Sequence, residues 1–410
     1  MVRFANYKYH GRNINNLGDH VQIMTIDYLY AEMGIDLSEI VYIDVNELSV
    51  YDGPPVLLPV SLPLVNYCEH GVAGMFSSKI TPVFFGLTMP KEEILPEEVD
   101  YYRQHQPVGC RDEQAYATMC KYGIDAYLGG CLTVTLPKRE PAPDQQTKIF
   151  IVDVPPKLKP YIPPEIAENA VWDTHIYLDY LENPTQKARE QYQRYRQEAA
   201  LVITGLLHAS VPCMAYGIPV ILARDVLSYR FGWLEALLPI YTEKEYGHIN
   251  WSPKPVELEQ HKALVKRLFQ KRMMQEDAGE EIKRVHQFYM SRQHKPYVND
   301  VFLELQQFID ETWIDHNAPY TYAVWGLTQM AELTVHYIDK HYPNAKLTHV
   351  YDKRPGLTLH GFAAISPENI AKYPDETVFV TTVSAAEFAQ NYFQEIGKNP
   401  QKYKVLRIIR

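Results

Sequence analysis

Short apolar runs alternate with amphipathic stretches along most of the chain, the pattern of strands feeding helices in an α/β protein. In the first part, residues 41–45, 56–60 and 83–87 read as buried strands. A helix is expected after Asp19, because Ile23, Ile26, Tyr30 and Met33 recur at helical spacing and Gly34 stands where a helix stops. Residues 108–110 read as a strand, 113–122 as a helix and 126–128 as a strand. Residues 137–147 hold three prolines and almost no apolar side chain, the composition of a linker.

Beyond the linker, a strand over 148–154 opens a second α/β unit. It continues through a helix at 185–199, a strand at 201–204, a helix at 207–216 and a strand at 218–223. The 25 residues from Ala199 to Ala223 contain no Asp, Glu, Lys or Arg, a length that would cross a bilayer. Gly205, His208, Pro212, Gly217 and Pro219 interrupt the stretch, so it reads as a buried strand–helix–strand unit and no transmembrane segment is expected. Residues 256–312 are charged and helical, and their basic cluster Lys266, Arg267, Lys271 and Arg272 reads as a solvated face. A third unit starts with a strand at 321–325 and a helix to about His341. Strands at 346–351 and 377–383, a helix at 385–396 and a strand at 404–408 complete it. The expected division is a Rossmann-like domain over residues 1–146, a second over 147–315 with a helical tail, and a small Rossmann-like module over 318–410.

Composition narrows the partners. At 46% hydrophobic and 22% charged residues the chain has the balance of a soluble globular protein, and 410 residues suit two to three domains. Its 40 basic against 50 acidic side chains give a net charge of −10, which leaves no electrostatic footprint for nucleic acid. The five cysteines, Cys68, Cys110, Cys120, Cys131 and Cys213, are odd in number and form no C-x-x-C pair, the usage of a reducing compartment. The first residues lack the apolar core of a signal peptide, so a cytoplasmic location is expected.

Candidate chemistry gathers at strand-to-helix junctions, where α/β proteins place their sites. Asn15-Asn16-Leu17-Gly18-Asp19-His20 opens a helix whose free N–H groups and dipole favour an anion or polar substrate; Asp19 reads as the N-cap, either that alone or a cap that also contacts substrate. Gly109-Cys110-Arg111-Asp112 puts Arg111 at a junction, suited to forked recognition of phosphate or carboxylate unless it only pairs with a carboxylate. Thr204-Gly205-Leu206-Leu207-His208 places His208 in the first turn of a helix, where the dipole disfavours its charged form and lets it work as an acid or base near neutrality. Arg224 and Arg230 follow the next strand on the same rim. Trp325-Gly326-Leu327-Thr328-Gln329-Met330-Ala331, with Asp352 after the next strand, imitates a dinucleotide fingerprint, but Thr328 and Ala331 replace two glycines and would crowd a pyrophosphate. No metal-ligand spacing, Walker loop or G-x-S-x-G elbow is present, and neither metal nor cofactor is expected.

Taken in order, these motifs resemble those of the polysaccharide pyruvyl transferase family. The matching elements are Asn16-Leu17-Gly18-Asp19, Gly109-Cys110-Arg111-Asp112, Gly130-Cys131-Leu132-Thr133-Val134-Thr135-Leu136, and Leu207-His208-Ala209 leading to Gly217-Ile218-Pro219-Val220. The resemblance spans roughly residues 10–310 and leaves the third unit outside it. It implies two Rossmann-like domains facing a cleft, as in glycosyltransferases of the B type. It also implies transfer of a pyruvyl group from phosphoenolpyruvate to a sugar of a cell-surface polysaccharide or its lipid-linked precursor, in the cytoplasm or at the inner face of the membrane, by a chain that is compatible with a homo-oligomer. By the same resemblance His208 is the acid, Arg111 an anion clamp and Asp19 a catalytic group beside the acceptor. Asn16, Gly18 and Thr204 in the same junctions are expected to bind substrate, as are Arg224 and Arg230 unless these two are only solvated loop charges. The family commonly carries an arginine immediately before its L-H pair, and here that position is Leu206. The alternatives are a sugar-nucleotide glycosyltransferase of the same architecture and an inactive glycan-binding relative.

Overall fold

The computed structural model describes residues 3–9, 16–62, 75–89, 94, 96–177, 181–291, 295, 303–354, 356–382 and 385–405. Asn15, Cys68 and the ends of two expected strands (Val383 and 406–408) lie outside them. By compactness the chain divides into residues 1–298 and 299–409.

In the first unit, β1 (Arg3–Lys8), α1 (Leu17–Glu32), β2 (Val41–Asp44), β3 (Val56–Val60), β4 (Ile80–Phe84), α2 (Pro96–Gln104), β5 (Val108–Cys110), α3 (Glu113–Lys121) and β6 (Ala126–Leu128) follow in order. Strands β2-β1-β3-β4 form one parallel sheet and β5-β6 a parallel pair. Strand β1 escapes the apolar pattern because Asn6 sits in its buried middle. The Asn6 amide is satisfied there by Ile23 O (3.1 Å) and Asp27 Oδ1 (2.7 Å), so a polar residue is tolerated in a central strand. Strand β4 begins three residues earlier than expected. It includes Pro82, which lacks an N–H for the ladder but is accommodated because β4 is an edge strand.

Next come β7 (Lys148–Val152), α4 (Pro164–Ala167), β8 (Val171–Asp173), α5 (Pro184–Glu198), β9 (Ala199–Thr204), α6 (Leu207–Ala215), β10 (Val220–Arg224) and β11 (Ile240–Thr242). Their five strands form a parallel sheet in the order β11-β10-β9-β7-β8. The charge-free stretch is thus β9, α6 and most of β10, as expected. Among the described residues no helix is long and apolar enough to cross a membrane. The 137–147 segment is free of helix and strand and is tacked down by Arg139, whose Nη1 donates to Ala199 O (2.6 Å).

Helices α7 (Glu259–Met273) and α8 (Gly279–Met290) return to the first sheet. Here the basic cluster departs from a plain solvated face. Lys266 Nζ reaches Glu32 Oε2 (2.8 Å) and the Tyr28 hydroxyl, and Lys271 pairs with Glu281 (2.8 Å). Arg272 donates to Phe84 O, the Tyr127 hydroxyl (3.0 Å) and Pro107 O (2.8 Å). Between them Phe269 packs on Tyr30 and Phe85, and one hydrophobic cluster runs through both sheets and these helices.

The second unit contains α9 (Leu303–Thr312), β12 (Thr321–Trp325), α10 (Gln329–His341), β13 (Lys346–Tyr351), β14 (Thr358–Leu359), β15 (Phe362–Ile365), β16 (Thr377–Val380), α11 (Ala386–Glu395) and β17 (Tyr403–Val405). The sheet order is β14-β15-β13-β12-β16-β17, parallel except at β14–β15. Strand order reverses between β12 and β16, where a doubly wound sheet takes its ligand. That position is filled by the unit's own groups. Gly326 has φ +99°, and a Cβ on it would lie 2.4 Å from Thr382 Cγ2. Thr381 Oγ1 donates to Gly326 O (2.6 Å) and Thr328 Oγ1 to Thr381 O (2.8 Å). The Asp352 carboxylate is taken by Leu327 N (2.9 Å) and by Arg354 (2.9 Å). The 410-residue chain is therefore expected to carry no nicotinamide or flavin. The absorbance spectrum of the supernatant after denaturation checks this, and a stoichiometric cofactor there would refute it.

Candidate active site

Both parallel sheets of the first unit reverse their strand order at a place that opens on the same cluster of side chains. In the first sheet the reversal lies between β1 and β3, and in the second between β7 and β9. The start of α1 is fixed to the second sheet's side: Leu17 N donates to His175 O (2.9 Å), and Asn16 bridges Ile176.

His208 is the second residue of α6, just past the end of β9. It is 8% exposed, and neither ring nitrogen has a hydrogen-bond partner within the protein. Its backbone is held by Tyr192, whose hydroxyl donates to His208 O (2.6 Å). Gly18 lies against it, and a Cβ on Gly18 would be 2.8 Å from His208 Cβ. Only a residue without a side chain lets the first turn of α1 close on this histidine. Burial above all, then the charges of Arg111 and Arg230 and the ring of His175, push the His208 pKa well below the usual histidine range. Without ligand the imidazole is neutral at pH 7.

Arg111, between β5 and α3, is wholly buried. It makes no ion pair with Asp112. That residue instead caps α3, with Oδ1 accepting from Ala115 N (2.9 Å) and Oδ2 from the Thr88 hydroxyl, and burial lifts its carboxyl to about 6. Arg111 Nη2 donates to Gln22 Oε1 (2.7 Å) and to Ser61 O, while Nε and Nη1 have no partner within the protein. A buried guanidinium with two unmatched donors fits an anion that supplies the acceptors.

The other expected residues take distinct places. Asn16 is the N-cap of α1, its Oδ1 accepting from Gly18 N (2.9 Å). Asp19 is therefore not the cap; it stands half-buried in the first turn, where its charge acts on Arg111 and Tyr192. Arg230 is partly exposed, in a 3-10 segment after β10, and its charge presses on Arg111, Asp112 and His208. Arg224 donates to Gly205 O (3.1 Å) and lies over the Phe231 ring at 4.5 Å, so it braces the loop before His208. The Thr204 hydroxyl donates to Val152 O (2.8 Å) and accepts from Leu206 N (3.0 Å), holding the same turn. Sequence reasoning missed Gln22, Ser61, His175 and Tyr192. Gln22 had a readable signal, a polar residue one turn after Gly18 within an apolar stripe; His175 and Tyr192 had none. Among the described residues no group of three or more His, Cys, Asp or Glu side chains could hold a metal ion.

These features define an α/β protein in which a buried neutral histidine and a buried arginine with two unmatched donors share one site. Residues 16–223, half of the chain, match the polysaccharide pyruvyl transferase family, and the protein belongs to that family. No curated protein matches the chain. Among solved structures, the manganese-bound S38A mutant of a periplasmic metal binding protein from Candidatus Liberibacter asiaticus aligns over 63% of this chain and 88% of that one. The identity is 11% and the TM-score 0.18, too low to carry an argument.

Proposed function

We propose that the protein transfers a pyruvyl group from phosphoenolpyruvate to two hydroxyls of a saccharide, a polysaccharide or its lipid-linked precursor, giving a ketal and phosphate. The observation that carries this reading is the pair of buried, unmatched donors on Arg111 within the electrostatic reach of a histidine with two unmatched nitrogens. The two parallel sheets of the first unit are taken as the two Rossmann-like halves of a B-type glycosyltransferase arrangement, with the reaction in the cytoplasm at the inner face of the membrane.

The chemistry runs as follows. Arg111 and Arg230 hold the donor's carboxylate and phosphate. Those negative charges offset the two arginines and raise the His208 pKa, so the acid is charged by the substrate it serves. His208 protonates the methylene carbon, and positive charge develops at C2. One sugar hydroxyl adds to C2, its proton passing to Asp19. Phosphate leaves, taking the proton that Asp19 accepted; the second hydroxyl adds, and its proton restores His208. The two hydroxyl protons thus balance the one delivered to carbon and the one that departs with phosphate.

Leu206 stands where the family has an arginine, and Arg230 supplies that charge from the neighbouring loop. Arg224 does not, because its guanidinium is engaged with Gly205 O and Phe231. Arg230→Gln is expected to raise the donor KM about tenfold at unchanged melting temperature, whereas Arg224→Gln lowers the melting temperature. Phosphate release from phosphoenolpyruvate with a saccharide acceptor tests the reading. Nucleotide release from a sugar nucleotide instead would establish the glycosyltransferase alternative, and saccharide binding without either release the inactive one.

A further inference from the structure

Helix α1 carries one more polar side chain into the site. Gln22 is 1% exposed and lies one helical turn after Gly18. Its Nε2 donates to Gly18 O (3.3 Å), and its Oε1 accepts from Arg111 Nη2 (2.7 Å). The second acceptor for Nη2 is Ser61 O, at the end of β3. Both anchors of the guanidinium are thus on one nitrogen, and Nε and Nη1 are left bare. A guanidinium is planar, so two acceptors on Nη2 from different elements fix the plane and with it the direction of the remaining N–H groups. Gly18, the other partner of Gln22, is the residue that rests on His208.

We propose that Gln22 is a positioning residue: it aims Nε and Nη1 of Arg111 at the donor's charged groups and, through Gly18, keeps that fork in fixed register with His208. The proposal rests on the donor assignment made above. It differs from a packing role, which an apolar side chain of the same length would fill. With Met at this position the volume is kept, Nη2 retains Ser61 O alone, and the fork is free to turn.

Gln22→Met is expected to weaken binding of phosphoenolpyruvate, measured by calorimetry, and to raise the donor KM, each about tenfold. The acceptor KM stays near wild type, the melting temperature falls only as far as the loss of one buried hydrogen bond requires, and kcat changes much less than the donor KM. Gln22→Asn keeps the amide but falls a methylene short of Arg111, and gives the same readout should the Met variant not fold. A folded variant with wild-type donor affinity, or one whose only defect is a lower melting temperature, would overturn the positioning role alone. Failure of the wild-type protein to bind phosphoenolpyruvate would overturn the donor assignment and this proposal with it.

Discussion

With Gln in place of His208, the protein is expected to bind phosphoenolpyruvate with near wild-type affinity and to release phosphate about 10²–10⁴-fold more slowly, the usual cost of losing a general acid. Binding survives because the donor's charges are held by Arg111 and Arg230, and a glutamine amide fills much of the imidazole's space. Turnover does not, because an amide has no proton to give to carbon. The pH profile adds a signature. In the free enzyme the imidazole is held neutral by burial and by two arginines, so kcat/KM should rise as pH falls below 7. In the complex the donor offsets those charges, and the corresponding limb of kcat should lie at higher pH. Wild-type phosphate release by the folded variant would remove His208 from the mechanism.

The second large effect is on stability. Lowering the pH from 7 to 5 is expected to cost the fold at least about 3 kcal/mol through buried histidines opposed by one buried carboxyl. Burial pushes His175 down to about 3 and His261 to about 4, against about 6.5 in an unfolded chain. Between those values the unfolded chain binds protons that the folded one refuses, so stability is full above about pH 6.5 and falls as pH drops; each histidine contributes about 2 kcal/mol by pH 5. Asp112 acts in the opposite sense. Its carboxyl is raised to about 6 by burial, so the fold takes up a proton first, returning about 1 kcal/mol over the same range. His208 adds in the same direction as the other histidines. Denaturant midpoints at the two pH values, in one buffer and salt, measure the sum. Equal midpoints would mean that His175 and His261 are protonated inside the fold.

Where a strand is bounded by proline, glycine or charge, the sequence marks it residue for residue, as at Val56–Val60, Val108–Cys110, Ala126–Leu128, Thr321–Trp325 and Lys346–Tyr351. Three of the missed strands, β1, β8 and β11, have physical reasons. Asn6 breaks the apolar run of β1 and its amide N–H groups are satisfied by partners on α1, while β8 and β11 are three-residue edge strands. The junction positions of Arg111 and His208 were legible because strand-to-helix turns are. Their surroundings were not. That Arg111 avoids Asp112 and turns to Gln22 and Ser61 depends on contacts 89 and 50 residues apart, which no local pattern records. The basic cluster on α7 misled for the same reason, since a lysine or arginine facing water and one reaching a distant carbonyl look alike in sequence.

That grip by α7 bears on how the protein is made. Arg272 closes on Phe84 O across 188 residues, and Phe269 completes the packing around Tyr30 and Phe85. A ribosome adding about 5–20 residues per second takes on the order of 10–40 s to cover that distance. For all of that interval the nascent first sheet has emerged with an apolar face and with carbonyls whose partner does not yet exist. The half that carries Gly18 and Arg111 therefore exposes that apolar face until α7 is synthesised, and a chain stopped before residue 259 is expected to be less stable than one that includes α7.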